Sequence, residues 1–398
     1  MKPIRVLIVD DSITSRLLIR SKLDTDPRIE TVGQAADAFE ARKLINELRP
    51  DVLTLDIELP GLDGLSFLRK IMSLRPMPVV MLSSMTKAGS AIAIEALSLG
   101  AVECVAKPGA SSVEGNFDNL PEIIVMAARA NPHITRQRSL APEKTTERLS
   151  AVYSRATADD RLNHADVLSS SGRAGSIIAG ANRKGLVSPS PHTETYPWNG
   201  MFVFLGASTG GVEAIETVLK GYPEDCPPTV IVQHMPETFL ASFANRLNQR
   251  SKPTVELARD GSPLRQGVVQ LAPGGAYHLK IEGGADRPVC RLLEAGPRNG
   301  HRPSVDILFE SACVLKDRAI GIVLTGMGRD GAQQLYSLRQ AGARCFAQDQ
   351  ASSVIYGMPR AALESGGAEC ALPLEAVAKH ILSLCRVPKP VREPRRIS

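Results

Sequence analysis

The sequence predicts two α/β domains: an N-terminal one with a five-stranded parallel sheet, and a C-terminal doubly wound one with a mostly parallel sheet and an antiparallel hairpin. Three observations carry this. Short apolar runs alternate with amphipathic stretches over 1–130, the pattern lapses over 131–197, and it returns from 201 onward. At 398 residues the chain is also long for one ordinary core.

In the N-terminal part, strands are expected at 6–10, 31–35, 52–56, 79–83 and 102–107, with helices at 15–23, 38–48, 65–74, 91–99 and 121–129. Strand followed by helix, five times over, is the pattern of a parallel sheet covered on both faces. Over 131–197, Ser, Thr, Arg, Pro, Asp and Gly dominate, as in Ser169-Ser170-Ser171-Gly172 and Ser188-Pro189-Ser190-Pro191. Too few apolar groups are present there to offset ordering entropy, so a flexible linker is expected, with room for a short helix at 146–153. Strands resume at 201–205, 229–233, 255–258, 268–272, 276–281, 319–325 and 344–348, with helices at 212–219, 238–249, 305–315 and 333–340. The short strands between about 255 and 295 read as the antiparallel hairpin insert. A second domain over 198–388 is then followed by a tail at 389–398, whose Arg392, Arg395 and Arg396 stand among prolines and read as solvated.

Composition excludes several classes. Hydrophobic content of 43% with 22% charge is that of a soluble globular chain. A net charge of +5 without a concentrated basic face argues against a nucleic-acid partner. The seven cysteines form no Cys-x-x-Cys pair and lie mostly in apolar runs, which points to reduced thiols and not to a disulfide framework or zinc site. The opening apolar run is too short for a signal peptide, and no segment approaches the ~18 apolar residues of a membrane span. A cytoplasmic location without membrane insertion is expected.

The first chemical constellation lies at strand ends. Asp10 and Asp11 follow the first strand, Asp56 ends the third, Ser83 the fourth and Lys107 the fifth. In an open parallel sheet the carboxyl ends of the strands form the ligand crevice, so these residues converge. Three carboxylates in one crevice repel unless a hard cation sits among them, and Mg2+ suits carboxylate oxygens while keeping positions for water or phosphate. Each residue alone reads as an ordinary cap or loop polar; the set reads as a phosphoryl-accepting site. Lys107 can neutralise a phosphoryl oxygen and Ser83 can donate to another.

The second constellation begins at Gly206-Ala207-Ser208-Thr209-Gly210-Gly211, where an apolar strand runs into a Gly-rich turn. Such a turn can cradle a phosphate, or it can expose Ser208 as a nucleophile at an elbow. No G-x-G-x-x-G or Walker sequence accompanies it, which weakens the nucleotide reading. His234 follows the strand at 229–233, and Asp330 lies in the glycine-rich loop after 319–325. Serine, histidine and aspartate each stand beyond a strand's carboxyl end. A serine hydroxyl needs an imidazole base, and the imidazole needs a carboxylate to fix its tautomer. His278, His301 and His380 are weaker candidates for the base, because they follow no obvious buried strand.

The 10/11–56–83–107 pattern resembles the receiver domain of two-component response regulators over about 120 residues, and the N-terminal fold is then expected to be flavodoxin-like. By that resemblance Asp56 accepts the phosphoryl group, Asp10 and Asp11 hold Mg2+ with it, and Ser83 and Lys107 report phosphorylation. Cys104 departs from the pattern, since receivers usually carry an aromatic residue three before the lysine; repacking around Ser83 remains available as the signal. Gly-Ala-Ser-Thr-Gly-Gly, Gln233-His234-Met235, Ala272-Pro273-Gly274-Gly275, the 324–331 stretch and Tyr356-Gly357-Met358-Pro359 together resemble the CheB family, the chemotaxis protein-glutamate methylesterases. That resemblance implies hydrolysis of glutamate methyl esters on chemoreceptor helices, often with deamidation of receptor glutamines, and a histidine kinase as phosphodonor. It also implies a Ser208, His234 and Asp330 triad, an oxyanion donor at the Met327 amide, Thr209 lining the site, and no cofactor for the ester chemistry. A degenerate hydrolase acting as an interaction module, a nucleotide-binding output and a DNA-binding output are the rival expectations, the last lacking a basic recognition helix.

Overall fold

The computed structural model describes residues 2–83, 87–107, 117–130 and 195–387, with only the backbone of 87–89. Of the expected 131–197 linker, residues 131–194 with the helix at 146–153 lie outside the described residues, as does the tail at 389–398.

The N-terminal domain runs β1 (Ile4–Val9), α1 (Ile13–Leu23), β2 (Ile29–Ala35), α2 (Ala38–Leu48), β3 (Val52–Asp56), α3 (Gly64–Leu74), β4 (Val79–Ser83), α4 (Lys87–Ser98), β5 (Glu103–Ala106) and α5 (Leu120–Ala127). The strands pair in parallel in the order β2-β1-β3-β4-β5. β3 and β4 are buried at every position, as their largely apolar character requires of strands covered on both faces. Helix starts are set by side-chain caps: Ser12 accepts from the Ser15 amide, Asp37 from Phe39 and Glu40, and Asp63 from Ser66.

The C-terminal domain comprises β6 (Phe202–Ala207), α6 (Gly211–Lys220), β7 (Thr229–Gln233), α7 (Glu237–Arg250), β8 (Thr254–Leu257), β9 (Val268–Leu271), β10 (Tyr277–Glu282), β11 (Val289–Glu294), α8 (Val305–Ala312), β12 (Ala319–Val323), α9 (Ala332–Gln340), β13 (Arg344–Gln348), α10 (Met358–Glu364), β14 (Cys370–Leu372) and α11 (Leu374–Leu384). Seven strands pair in parallel in the order β14-β13-β12-β6-β7-β9-β8. β10 and β11 form a separate antiparallel hairpin. The hairpin is therefore narrower than the 255–295 region read from sequence, because β8 and β9 join the main sheet. Tyr196 donates its hydroxyl to the Leu382 carbonyl, and the Val387 amide donates to Pro197 at 2.8 Å, tying the domain's first residues to its last helix.

All seven cysteines are free, five of them buried, as their apolar settings foretold. Among the described residues no helix is long and apolar enough to cross a membrane. One apolar cluster runs from α2, α3 and α4 into α6, α7 and α11, and α4 packs on both α6 and α7. The two domains thus share buried surface through α4.

Candidate active site and phosphoacceptor crevice

In the N-terminal domain, the carboxylates of Asp10, Asp11 and Asp56 each offer an oxygen, and these lie within 4.8 Å of one another. Asp10 and Asp56 are buried and Asp11 is exposed. Lys107 Nζ stands 2.7 Å from Asp56 Oδ2 and 2.9 Å from Asp10 Oδ2. Asp10 is further held by the Ser12 amide at 2.9 Å and the Ser15 hydroxyl at 2.6 Å. Burial pushes the Asp56 carboxyl up to about 6 against the pull of Lys107, and the Asp10 charge pushes the same way. Burial works to lower the Lys107 ammonium, yet its bonds to Asp56 and Asp10 hold it above its ordinary value. The hard-oxygen donor set and the raised Asp56 fit a divalent cation such as Mg2+, whose charge would relieve that repulsion. Ser83 is buried at the end of β4. A Cβ on Gly64 would meet the Asp56 carbonyl oxygen at 2.0 Å, so α3 starts close against Asp56 only because residue 64 has no side chain.

In the C-terminal domain, β12, β6 and β7 are adjacent, and Asp330, Ser208 and His234 follow them in the same spatial order. The turn after β6 is fixed at its backbone: the Ser208 amide donates to Thr325 O at 3.0 Å, and the Ser208 carbonyl accepts from Gly211 N at 2.7 Å and Gln233 Nε2 at 2.8 Å. Gly210 sits at φ +78, where an added Cβ would also meet Val354 at 2.6 Å. The His234 amide donates to Ala207 O at 3.0 Å, which keeps His234 beside the Ser208 turn.

His234 Nε2 lies 2.8 Å from Asp330 Oδ2. Its Nδ1 is buried without a hydrogen-bond partner among the described residues, so that nitrogen is available to take a proton. No hydrogen bond joins Ser208 Oγ to His234 among the described residues. Asp330 accepts from the Val305 amide at 2.7 Å, the Ser304 hydroxyl at 2.9 Å and Asn299 Nδ2 at 3.0 Å. Burial alone would raise the Asp330 carboxyl, but the His234 bond and these donors hold it well below the usual carboxylate range. It is an ionised acceptor under all ordinary conditions. Burial and the Asp330 charge raise its neighbour Asp306. The Met327 side chain is exposed, and its amide donates to no acceptor among the described residues.

Sequence reasoning did not find Asn299, Ser304 or Asp306, which gather around Asp330; a left-handed Asn-Gly turn at 299–300 was the available signal. The alternative bases separate clearly. His278 is fully buried, with Nε2 on Gly296 O at 2.9 Å and Nδ1 accepting from the Ser304 amide at 3.1 Å. His380 meets Phe346 edge-on. His301 stacks on His234 with ring centroids 3.7 Å apart.

Thr209 looks toward the N-terminal domain. Its hydroxyl donates to Glu103 Oε2 at 2.8 Å and lies 3.4 Å from Met126 Sδ. Burial pushes the Glu103 carboxyl up, against its bonds to Thr209 and the Cys104 amide. Leu97, Ala101, Val102 and Glu103 line a small cavity together with Ser208 and Thr209. The α4–β5 connection and the start of β5 therefore stand over the candidate nucleophile.

The chain matches the response regulator receiver domain family over residues 6–113 and the CheB methylesterase family over 203–381. It is 45% identical over 383 residues to the protein-glutamate methylesterase/protein-glutamine glutaminase 1 of Rhizobium johnstonii, covering 96% of each chain. It is 45% identical over 388 residues to the enzyme of that name in Caulobacter vibrioides, covering 96% of this chain and 98% of the relative. A crystal structure of the Thermotoga maritima CheB methylesterase catalytic domain is 34% identical, with a TM-score of 0.45, covering 47% of this chain and 99% of that one. With both domains and nearly the full length of such relatives, the chain belongs to the CheB family of protein-glutamate methylesterases/protein-glutamine glutaminases.

Proposed function

We propose that the chain is a phosphorylation-regulated serine hydrolase that demethylates glutamate methyl esters on chemoreceptors, releasing methanol, and deamidates receptor glutamines. The observation that carries this is the His234–Asp330 pair at the ends of strands flanking the one that ends in Ser208. In the reaction, Ser208 Oγ attacks the ester carbonyl while His234 Nδ1 takes its proton. Asp330, bonded to Nε2, stabilises the imidazolium and holds its tautomer. The tetrahedral oxyanion is met by the Met327 amide, a donor with no internal acceptor to give up. His234 then returns the proton to the departing methoxide, and a water deacylates the serine by the same relay. With a glutamine the leaving group is ammonia. No cofactor enters these steps.

The domain division proposed is a receiver over 1–130, a linker over 131–197, the methylesterase domain over 198–388 and a basic tail over 389–398. In the receiver, Asp10, Asp11 and Asp56 would hold Mg2+, which when bound neutralises charge on the incoming phosphoryl group. Asp56 accepts that group from a histidine kinase, and Ser83 and Lys107 report it. Phosphorylation adds charge at the strand ends and loosens the contact of β5 with Thr209, opening the Ser208 crevice. We place the enzyme in the cytoplasm, acting on methylated receptor helices without entering the membrane.

The test is methanol release from methylated receptor membranes with and without acetyl phosphate. The reading expects release that rises with the phosphodonor and does not rise in Asp56→Asn. Membranes that yield no methanol under either condition would refute it.

A further inference from the structure

The Asn-Gly turn between β11 and α8 delivers two side chains to the His234–Asp330 pair. Arg298 and His301 exchange both backbone hydrogen bonds at 3.0 Å, and Asn299 and Gly300 sit at φ +55 and +80. Two successive left-handed residues define a tight primed turn that few sequences other than Asn-Gly adopt cheaply. Arg298 anchors it to α8 through Glu310. From this turn Asn299 Nδ2 reaches Asp330 Oδ1 at 3.0 Å and Asp306 Oδ2 at 2.6 Å, the one side-chain donor among the described residues that bridges these two buried carboxylates. Two residues on, the His301 ring lies flat on the His234 ring, 9° from parallel.

We infer that Asn299 and His301 are positioning residues for the His–Asp pair: the amide fixes the carboxylate's orientation, and the stacked ring fixes the plane of the base. This rests on the triad reading above. His234 needs the help. Its only side-chain hydrogen bond among the described residues is to Asp330, and one bond by itself does not fix the plane of the ring. A flat neighbour removes that rotation without competing for Nδ1. Burial and the adjoining His234 keep the His301 ring neutral, with its imidazole lowered to about 4, so it adds no repulsion when His234 takes its proton. A neutral π face against an imidazolium is attractive.

The experiment compares Asn299→Gly, His301→Ala, His301→Phe and Ser208→Ala in the full-length protein on methylated receptor membranes. Glycine accepts the left-handed backbone, so Asn299→Gly removes the amide while keeping the turn. Expected are falls in kcat of about 10- to 100-fold for Asn299→Gly and His301→Ala with KM little changed. His301→Phe, which keeps a flat ring, restores most of the loss. The downfield proton resonance of the His234–Asp330 bond should broaden or vanish in the two losing variants and persist in His301→Phe. If His301→Ala does not fold, Asn299→Gly and His301→Phe still decide. Wild-type kcat in Asn299→Gly, or a His301→Phe enzyme with none of the wild-type rate, overturns the inference. Methanol release by Ser208→Ala would instead remove the triad beneath it, and so is read separately.

Discussion

Replacing Glu103 with alanine should raise the activity of the unphosphorylated enzyme. The Glu103–Thr209 bond, at 2.8 Å, spans the receiver and the residue next to the proposed nucleophile. A hydrogen bond to a carboxylate in such a place is worth ~1.5–3 kcal/mol. At ~1.4 kcal/mol per tenfold, its loss shifts the closed-to-open ratio by about 10- to 100-fold. Two features set the lower end as the better expectation. Met126 still touches the Thr209 hydroxyl, and α4 still packs on α6 and α7. Burial also disfavours the ionised Glu103, so part of the bond's worth is already spent on desolvation. Glu103→Gln keeps an acceptor and sheds that cost, so it should remain at or below wild-type basal activity. The pH dependence has a definite sign. A carboxyl whose value is raised in the closed form binds its proton more tightly there, so closure is favoured at acid pH and lost as pH rises upward from the ordinary 4.5. Glu103→Gln should erase that slope. The assay is methanol release without phosphodonor across pH. Wild-type basal activity and full phosphodonor stimulation in Glu103→Ala would refute the reasoning.

Mg2+ binding by the receiver should weaken below pH 6, because Asp56, raised to about 6, must then give up a proton to coordinate. Calorimetry should show affinity falling by up to about tenfold per pH unit there, and Asp56→Asn should lose the dependence. Gly211→Ala should destabilise the methylesterase domain by ~1–3 kcal/mol, read as a lowered denaturant midpoint, since the added Cβ would sit 2.0 Å from Gln233 Oε1. Because Gln233 also holds the Ser208 carbonyl, kcat should fall with it.

The strands that position the chemistry were legible because they are buried on both faces and therefore read as largely apolar runs. β3, β4, β7 and β13 fall where the pattern places them. β11 and β14 escaped, since Val289–Glu294 carries Arg291 and Glu294, and Cys370–Leu372 has only three residues. α10 and α11 were also unread; Met358–Glu364 is short and carries Pro359 in its first turn, which reads as a turn. β8 and β9 were found as strands but put in the wrong sheet, because short strands carry no record of their partner. The same limit applies at the site. Strand-end residues announce themselves by position, whereas Asn299, Ser304 and His301 reach Asp330 and His234 through a turn whose destination depends on packing between β11 and α8.

The central claim is that Ser208 is the nucleophile activated by His234. Mass-spectrometric mapping after treatment with a serine-directed fluorophosphonate tests it most directly. The account predicts one adduct, on the peptide carrying Ser208, formed faster in the presence of acetyl phosphate and lost in His234→Ala. An adduct on another residue, or labelling of Ser208 at the same rate without the imidazole, would contradict it.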